Sequence, residues 1–144
     1  MTQISFYSGA ADKLIAACRL CAKAVQQGVR VLVYIPDAAL IERFDQLLWT
    51  FSATSFVPHC RSDDDADLVQ QTPVVLSRQV QIGAAFDVLL NLHHEQPPAF
   101  DEFARLIEIA GTANEDKSAA RERYRQYKNG GFEIRHYQLD SQTG

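Results

Sequence analysis

The stretch VRVLVYI at Val29–Ile35 limits the fold of this chain more than any other part of the sequence. Its β-branched residues predict a strand, and its nearly unbroken hydrophobicity indicates burial on both faces, as in a parallel sheet. A short apolar run at Ile4–Tyr7 and an amphipathic helical pattern at Asp12–Gln27, ended by Gly28, come before it. A second amphipathic helical pattern covers Pro36–Trp49. The order strand–helix–strand–helix therefore predicts a three-layer α/β/α sandwich with a mainly parallel sheet.

The remainder of the chain continues the α/β pattern after an irregular region at Thr50–Gln71. Further strands are predicted at Pro73–Leu76, Ala85–Leu92, Leu106–Ala110 and Phe132–Leu139, with a short helix at Phe100–Ala104. A length of 144 residues suits one domain with one core. We therefore expect a single α/β domain over residues 1–139, followed by a polar C-terminal tail at residues 140–144.

The first strand–helix turn, Ser8–Asp12, indicates whether such a Rossmann-like fold would bind a nucleotide. Nucleotide-binding turns of this kind carry several glycines, or a lysine that reaches a phosphate. This turn has one glycine, Gly9, no lysine, and an aspartate that would repel a phosphate. The sequence therefore predicts a Rossmann-like fold without a phosphate loop, and we expect no cofactor.

Composition and cysteine use limit the partners and the compartment. The formal net charge is −4, which argues against a protein that coats nucleic acid but is compatible with a local basic patch. No apolar run reaches the roughly 18 residues of a membrane span, and the N-terminus does not have the pattern of a signal peptide. We therefore expect a cytoplasmic protein with no membrane partner. Cys18 and Cys21 share the apolar face of the first helix, so we expect buried thiols rather than a redox or zinc site.

No group of residues in the sequence predicts a catalytic or metal site. His59 and Cys60 are adjacent in the chain, and adjacent residues rarely point into one site. The acidic run Asp63–Asp65 lacks the alternating acids and the glycine of a calcium-binding loop. The stretch His93–Glu95 contains metal-ligating residue types, but consecutive histidines diverge on an extended chain. We therefore expect a non-catalytic protein without a metal site.

The helical stretch from Lys117 to Lys128 is a basic island on this acidic chain. It holds five of the 14 basic residues and one acid, Glu122, and the glycines after Asn129 predict its end. At 100° per residue, one stripe of the helix is formed by Lys117, Arg121, Arg125 and Lys128. One interpretation is a solvated face. The other is a site for an acidic ligand, with Tyr124 and Phe132 as apolar anchors.

Two motifs in combination resemble the chi subunit of the bacterial DNA polymerase III holoenzyme. The motifs are SFVPH at Ser55–His59, preceded by LLW at Leu47–Trp49, and ARERYR at Ala120–Arg125, continuing to Gly131-Phe132. Phe6-Tyr7 and the stretch Gly28–Leu32 also fit that family. The resemblance spans nearly the whole chain, and it is specific because neither motif is a general signature of the α/β fold.

The resemblance implies a non-catalytic accessory subunit of the replicase. Members of the family bind the psi subunit, which links them to the clamp loader, and the acidic C-terminal tail of single-stranded DNA-binding protein. That tail ends in several aspartates, then Ile-Pro-Phe and a free carboxylate. The resemblance also implies that the contact of the chi subunit with DNA is mainly indirect. The tail site implied for this chain consists of Lys117, Arg121, Tyr124, Arg125 and Phe132. The implied psi-binding face consists of Trp49, Phe56, Val57, Pro58 and Ala110.

Two other functions stay open on the sequence. The first is a nucleotide-binding α/β enzyme of unknown substrate, because a fold class does not decide function. The second is direct binding of single-stranded DNA through the basic helix. The missing phosphate loop and the two specific motifs favour the adaptor over both.

Overall fold

The strand-forming segments assemble into a sheet of seven parallel strands in the computed structural model, which describes residues 1–80 and 86–139. The strands are β1 (Gln3–Ala10), β2 (Val31–Tyr34), β3 (His59–Arg61), β4 (Val74–Ser77), β5 (Val88–Asn91), β6 (Arg105–Gly111) and β7 (Glu133–Gln138). The helices are α1 (Lys13–Gln26), α2 (Ala38–Thr50), α3 (Ala66–Gln71) and α4 (Asn114–Asn129), with a 3-10 turn at Phe100–Glu102. None of these helices is long and apolar enough to cross a membrane.

The strand order β3-β4-β2-β5-β6-β1-β7 explains why helices cover both faces of the sheet. The connections that carry α1 and α2 lead toward the β3 edge, whereas those that carry α3, the 3-10 turn and α4 lead toward the β7 edge. Since parallel crossovers are right-handed, opposite directions place their helices on opposite faces. One core therefore includes residues of α1 and α2, and the other includes residues of α4. The predicted three-layer sandwich is confirmed, and all four residues of β2 are buried.

The start of α1 is capped by an aspartate side chain. Asp12 is the N-cap of α1, and its carboxylate accepts hydrogen bonds from the amides of Leu14 and Ile15 at 3.1 Å. The Asp12 carboxylate thus accepts hydrogen bonds from the backbone amides at the start of α1, the position where nucleotide-binding folds bind a phosphate. Cys18 and Cys21 are fully buried, as expected, and burial raises the pKa of the Cys18 thiol to about 12.

The region predicted to be irregular contains two short elements, so that prediction is wrong. Edge strand β3 has three residues, and α3 has six. Elements this short carry no periodic signal, and β3 forms because it pairs with β4. Asp65, part of the acidic run, is the N-cap of α3 and accepts the amide of Asp67. The acidic run therefore contributes to local structure.

Several predicted boundaries shift for identifiable reasons. Strand β5 begins after Asp87, whose side chain accepts the backbone N–H of Arg30 at 2.9 Å. The predicted short helix at Phe100–Ala104 is only a 3-10 turn. Helix α4 ends at Asn129, as the glycines predict, and Gly131 has a φ of +80°, a conformation that favours glycine. Ala85, the predicted start of the fourth strand, and the predicted tail at residues 140–144 lie outside the described residues.

A buried polar network fastens α4 to the sheet. Arg123 Nε donates to Glu108 Oε1 at 3.0 Å, and the hydroxyl of Tyr127 donates to Glu108 Oε2 at 2.5 Å. Asn91 Nδ2 donates to the same Oε2 at 2.9 Å. Both charged side chains are almost completely buried, and burial raises the pKa of Glu108 although Arg123 opposes that shift. The network fixes the rotation of α4, because Arg123 and Tyr127 must face the sheet.

Replacing the buried carboxylate tests this network. We expect Glu108→Ala to lower the free energy of unfolding by about 3–5 kcal/mol, because it leaves the Arg123 guanidinium buried without a counter-charge. Glu122→Ala removes an exposed carboxylate from α4 itself, and it should change the free energy of unfolding far less than Glu108→Ala does, because solvent screens an exposed ion pair. Urea unfolding followed by circular dichroism measures both changes. Equal losses in the two variants would show that the buried pair does not anchor the helix.

Candidate functional site

A pocket of about 600 Å³ lies beside α4, at the carboxyl ends of β1, β6 and β7. Strands β1 and β6 are neighbours, but α1 leaves β1 toward one face of the sheet and α4 leaves β6 toward the other. Open α/β sheets bind ligands in the crevice that such a divergence creates. The residues that line this α4 pocket are Phe6, Ser8, Gly9, Ala110, Gly111, Thr112, Lys117, Ala120, Arg121, Tyr124, His136 and Gln138.

Three of the five residues predicted for a tail site line the α4 pocket together: Lys117, Arg121 and Tyr124. The side of α4 that they occupy follows from the buried positions of Ala120 and Tyr127. Lys117 and Arg121 are exposed. Within residues 1–80 and 86–139, neither of these cations has an ion-pair partner. The pocket can therefore offer both charges to an anionic ligand.

An aromatic group forms the apolar part of the α4 pocket. The rings of Phe6 and Tyr124 meet edge to face, with centroids 5.7 Å apart. The ring of His136 lies 6.1 Å from each of them. Ser8 Oγ lies 2.9 Å from His136 Nε2, so the imidazole is held against β1. The arrangement suits a ligand that has an apolar group next to a negative charge.

The other two predicted residues, Arg125 and Phe132, do not line the α4 pocket. The guanidinium of Arg125 donates two hydrogen bonds to the carboxylate of Glu122, and this interaction lowers the pKa of Glu122. Phe132 packs on Phe100, with ring centroids 5.0 Å apart, and one edge of its ring lies against Gly130. The glycine turn brings Phe132 back to the end of the helix, where its backbone N–H donates to the carbonyl of Tyr127 at 3.2 Å, but its side chain does not line the pocket.

The contribution of β1 and β7 to the α4 pocket is not predicted by the sequence. Phe6 pairs with His136, and Ser8 pairs with Gln138, in the parallel register of these strands. Because alternate residues of a strand share a face, the two pairs lie on the side of the sheet that carries α4. Residues about 130 positions apart in the chain become neighbours only through this pairing. No local spacing could have indicated it.

A second exposed feature is an aromatic pair at the end of α2. Trp49 and Phe56 are 57% and 69% exposed, and their ring centroids are 5.9 Å apart. Trp49 also lies 4.6 Å from the ring of His59. His59 is held in turn by Asp45 Oδ1 at 2.8 Å and by the carbonyl of Val57 at 2.8 Å. Two large exposed aromatic side chains on a fixed support form a surface suited to a protein partner.

The remaining residues of the implied psi-binding face lie elsewhere or are covered. Val57 is 1% exposed and packs into the core, so its side chain cannot meet a partner. Pro58 is half-buried. Ala110 belongs to β6, four strands from β3 in the sheet, and it lines the α4 pocket. Trp49 and Phe56 are therefore the exposed members of this set that lie side by side.

The pair His59 and Cys60 and the acidic run Asp63–Asp65 have positions that follow from the fold. His59 and Cys60 point to opposite sides of β3, because Cys60 belongs to the core on the α4 face and His59 contacts α2. The two side chains therefore do not point into one site. In the acidic run, Asp64 accepts the backbone N–H of Arg61 at 2.8 Å.

The expectation that His93 and His94 diverge is wrong. Their ring centroids are 4.2 Å apart, because Asn91 holds this segment as a turn rather than an extended chain. Partial burial, followed by the neighbouring His94, lowers the pKa of His93. The nitrogen and oxygen atoms of His93, His94 and Glu95 that could bind a metal lie within 4.8 Å of one another.

Comparison with known proteins identifies the same family that the two motifs indicate. Residues 1–135 match the family described as DNA polymerase III chi subunit, HolC. The DNA polymerase III subunit chi of Pseudomonas aeruginosa is 32% identical over 143 residues, which cover 96% of this chain and 98% of that protein. The same subunit of Haemophilus influenzae is 30% identical, with coverages of 82% and 81%. That of Escherichia coli is 28% identical, with coverages of 81% and 79%.

The matched region contains both features described above. It includes the aromatic pair Trp49 and Phe56, and it includes all of α4 with Lys117 and Arg121. It also covers six of the seven strands completely and ends inside β7. The resemblance found in the sequence is confirmed over the whole fold rather than at isolated motifs. This chain belongs to the DNA polymerase III chi subunit family.

Proposed function

We propose that this chain is a non-catalytic accessory subunit of the DNA polymerase III holoenzyme, acting in DNA replication in the cytoplasm without a cofactor. It is an adaptor with two surfaces. One binds the acidic C-terminal tail of single-stranded DNA-binding protein, and the other binds the psi subunit, which connects it to the clamp loader. DNA contact is mainly indirect. The observation that carries this proposal is the α4 pocket, where Lys117 and Arg121 adjoin an aromatic wall.

The chemistry of the tail complements the α4 pocket. The tail ends in a phenylalanine with a free carboxylate, preceded by aspartates. A guanidinium can bind a carboxylate through two parallel hydrogen bonds, so Arg121 is the proposed partner of the terminal carboxylate. The terminal phenylalanine packs against Tyr124, Phe6 and His136, whose rings already contact one another. An anion next to an apolar ring is what this pocket can accommodate.

The rest of the proposed tail surface continues along α4. Lys117 lies one turn before Arg121, so the aspartates of the tail can meet both charges in sequence. Arg125 is exposed and pairs with Glu122. It can add a further positive charge to the tail surface, one turn after Arg121, if it leaves Glu122 and binds an aspartate of the tail. Phe132 supports this surface indirectly, since it packs beneath the end of the helix. Binding is largely electrostatic, and we expect a micromolar dissociation constant that rises with salt.

The proposed psi-binding surface is the exposed aromatic pair. Aromatic residues are the commonest energetic centres of protein interfaces, and Trp49 and Phe56 are two of the five large apolar residues that are most exposed in the described chain. Val57 and Pro58 hold the loop in place, with Val57 buried in the core. Ala110 contributes to the α4 pocket instead. The two proposed surfaces thus lie on different elements, so one can be altered without the other.

The alternatives differ from the adaptor in measurable ways. A nucleotide-binding protein would give a saturable heat signal with ATP or NAD, but Asp12 caps the helix where a phosphate would bind. Direct binding of single-stranded DNA by α4 would persist when the acidic tail of the partner is deleted. ATP turnover that co-purifies with the chain and is lost on mutation of Asp12 or His59 would contradict the non-catalytic assignment.

The sharpest test of the tail site is Arg121→Glu. We expect this variant to lose binding to a fluorescently labelled tail peptide, because a carboxylate in place of the guanidinium repels the terminal carboxylate. Fluorescence anisotropy at low and high salt measures the affinity. Deleting the last phenylalanine of the peptide should have the same effect from the other side. Binding of psi should be unchanged.

The matched control is Lys128→Glu, which makes the same change of charge on α4 but outside the α4 pocket. This control separates a specific site from general attraction to a basic helix. Equal losses in Arg121→Glu and Lys128→Glu would indicate general attraction. Wild-type affinity in Arg121→Glu, or binding that does not respond to salt, would show that this side of the helix is only a solvated face.

Truncation of the exposed aromatic residue tests the psi-binding surface. We expect Phe56→Ala to weaken psi binding by ~2 kcal/mol or more, as is typical of central aromatic residues in interfaces. The fold should be unchanged, since Phe56 is largely exposed. The circular dichroism spectrum of the variant should therefore remain native. Leu68→Ala on α3 is the control, because Leu68 is also exposed but belongs to another element. Unaltered co-elution of Phe56→Ala with psi would remove this residue from the interface.

A further inference from the structure

The turn after β5 brings two imidazoles and one carboxylate together on the surface. His93, His94 and Glu95 each direct a possible ligand atom to a space no more than 4.8 Å across. His93 Nε2 lies 3.7 Å from one oxygen of Glu95, and His94 Nε2 lies 3.8 Å from the other. We propose that this turn is a binding site for a divalent transition metal, for which Zn²⁺ is the representative ion.

The distances are close to those that a bound ion requires. Two ligand atoms each about 2.0–2.2 Å from zinc in tetrahedral geometry are about 3.4 Å apart. The two observed separations between nitrogen and carboxylate oxygen exceed this by a few tenths of an ångström, but they involve different oxygens of Glu95. One ligand atom from each of the three residues lies within 4.8 Å of the others, so the side chains must move closer together to bind one ion. The side chains of His94 and Glu95 are 70% and 72% exposed. They can close around an ion by small rotations without disturbing the core.

The backbone of the turn is fixed by buried side chains. Asn91 is fully buried, and its amide donates to the carbonyl of Glu95 at 3.0 Å and accepts the backbone N–H of His93 at 2.9 Å. Arg123 Nη1 donates to the carbonyl of His94 at 2.9 Å. Each of the three proposed ligands is thus attached to a buried polar group through its backbone. A turn held in this way presents its ligands with little loss of conformational entropy on binding.

The ligand set selects the class of ion. Imidazole nitrogens suit zinc, copper and nickel, whereas calcium and magnesium prefer oxygen ligands alone. Two imidazoles and one carboxylate are a known zinc ligand set, in which the fourth position is left to water or another group. The site is exposed and lies beside Ala119, Glu122 and Gln126, on a different side of α4 from the α4 pocket. It is therefore distinct from the α4 pocket.

Calorimetry of the whole chain with zinc tests the proposal. After treatment with a chelator and its removal, titration with zinc chloride should show one site per chain with a dissociation constant in the micromolar range. His94→Ala and Glu95→Gln should each raise that constant at least about tenfold. His136→Ala is the control, because it removes a histidine of the α4 pocket and should leave zinc binding unchanged. Circular dichroism checks that each variant is folded.

The imidazole resonances of the four histidines provide an independent measurement. In a nuclear magnetic resonance titration, zinc should shift the signals of His93 and His94 and leave those of His59 and His136 in place. Absence of saturable binding at micromolar zinc would overturn the site. Wild-type affinity in either His94→Ala or Glu95→Gln would also overturn it, since the proposal requires all three ligands.

Discussion

The ion pair between Glu108 and Arg123 is the interaction on which both the helical layer and its surface depend. Two buried charges are costly to remove from water, and they are tolerated only when their hydrogen-bonding capacity is satisfied. Here Tyr127 and Asn91 complete the shell of the carboxylate. No buried polar side-chain atom in the described part of the chain lacks a hydrogen bond. Since Arg123 and Tyr127 must face β6, the opposite flank of α4 is determined, and with it the direction of Arg121.

The same network reaches beyond α4. Asn91 contacts both the buried carboxylate and the turn that follows β5, while Arg123 holds the carbonyl of His94 in that turn. A single cluster of buried polar groups therefore supports the α4 pocket on one side and the histidine turn on the other. Polar networks of this kind give orientation as well as energy, because each hydrogen bond has a preferred direction. Apolar packing has no preferred bond direction, so the two hydrophobic cores alone would not fix the orientation of α4 as precisely.

The elements that could be predicted from the sequence are those with local physical causes. The continuous hydrophobicity of β2, the amphipathic spacing of α1 and α2, and the glycines that end α4 act within a few residues. The basic side of α4 follows from helical spacing. What the sequence could not provide depends on pairing across the sheet. Edge strand β3, the rings of Phe6 and His136 in one pocket, and the separation of Ala110 from Trp49 all result from strand order, which no spacing along the chain encodes.

The position of β1 in the sheet has a consequence for synthesis of the protein. Gln3 pairs with Arg105 on one side and with Glu133 on the other, so β1 has no strand partner during synthesis until β6 and β7 have been made. Strands β2 to β5 can pair with one another much earlier, because they are already neighbours in the sheet. The end of the sheet that carries the α4 pocket is therefore assembled last. A nascent chain that stops before β7 lacks His136 and Gln138, so its α4 pocket is incomplete.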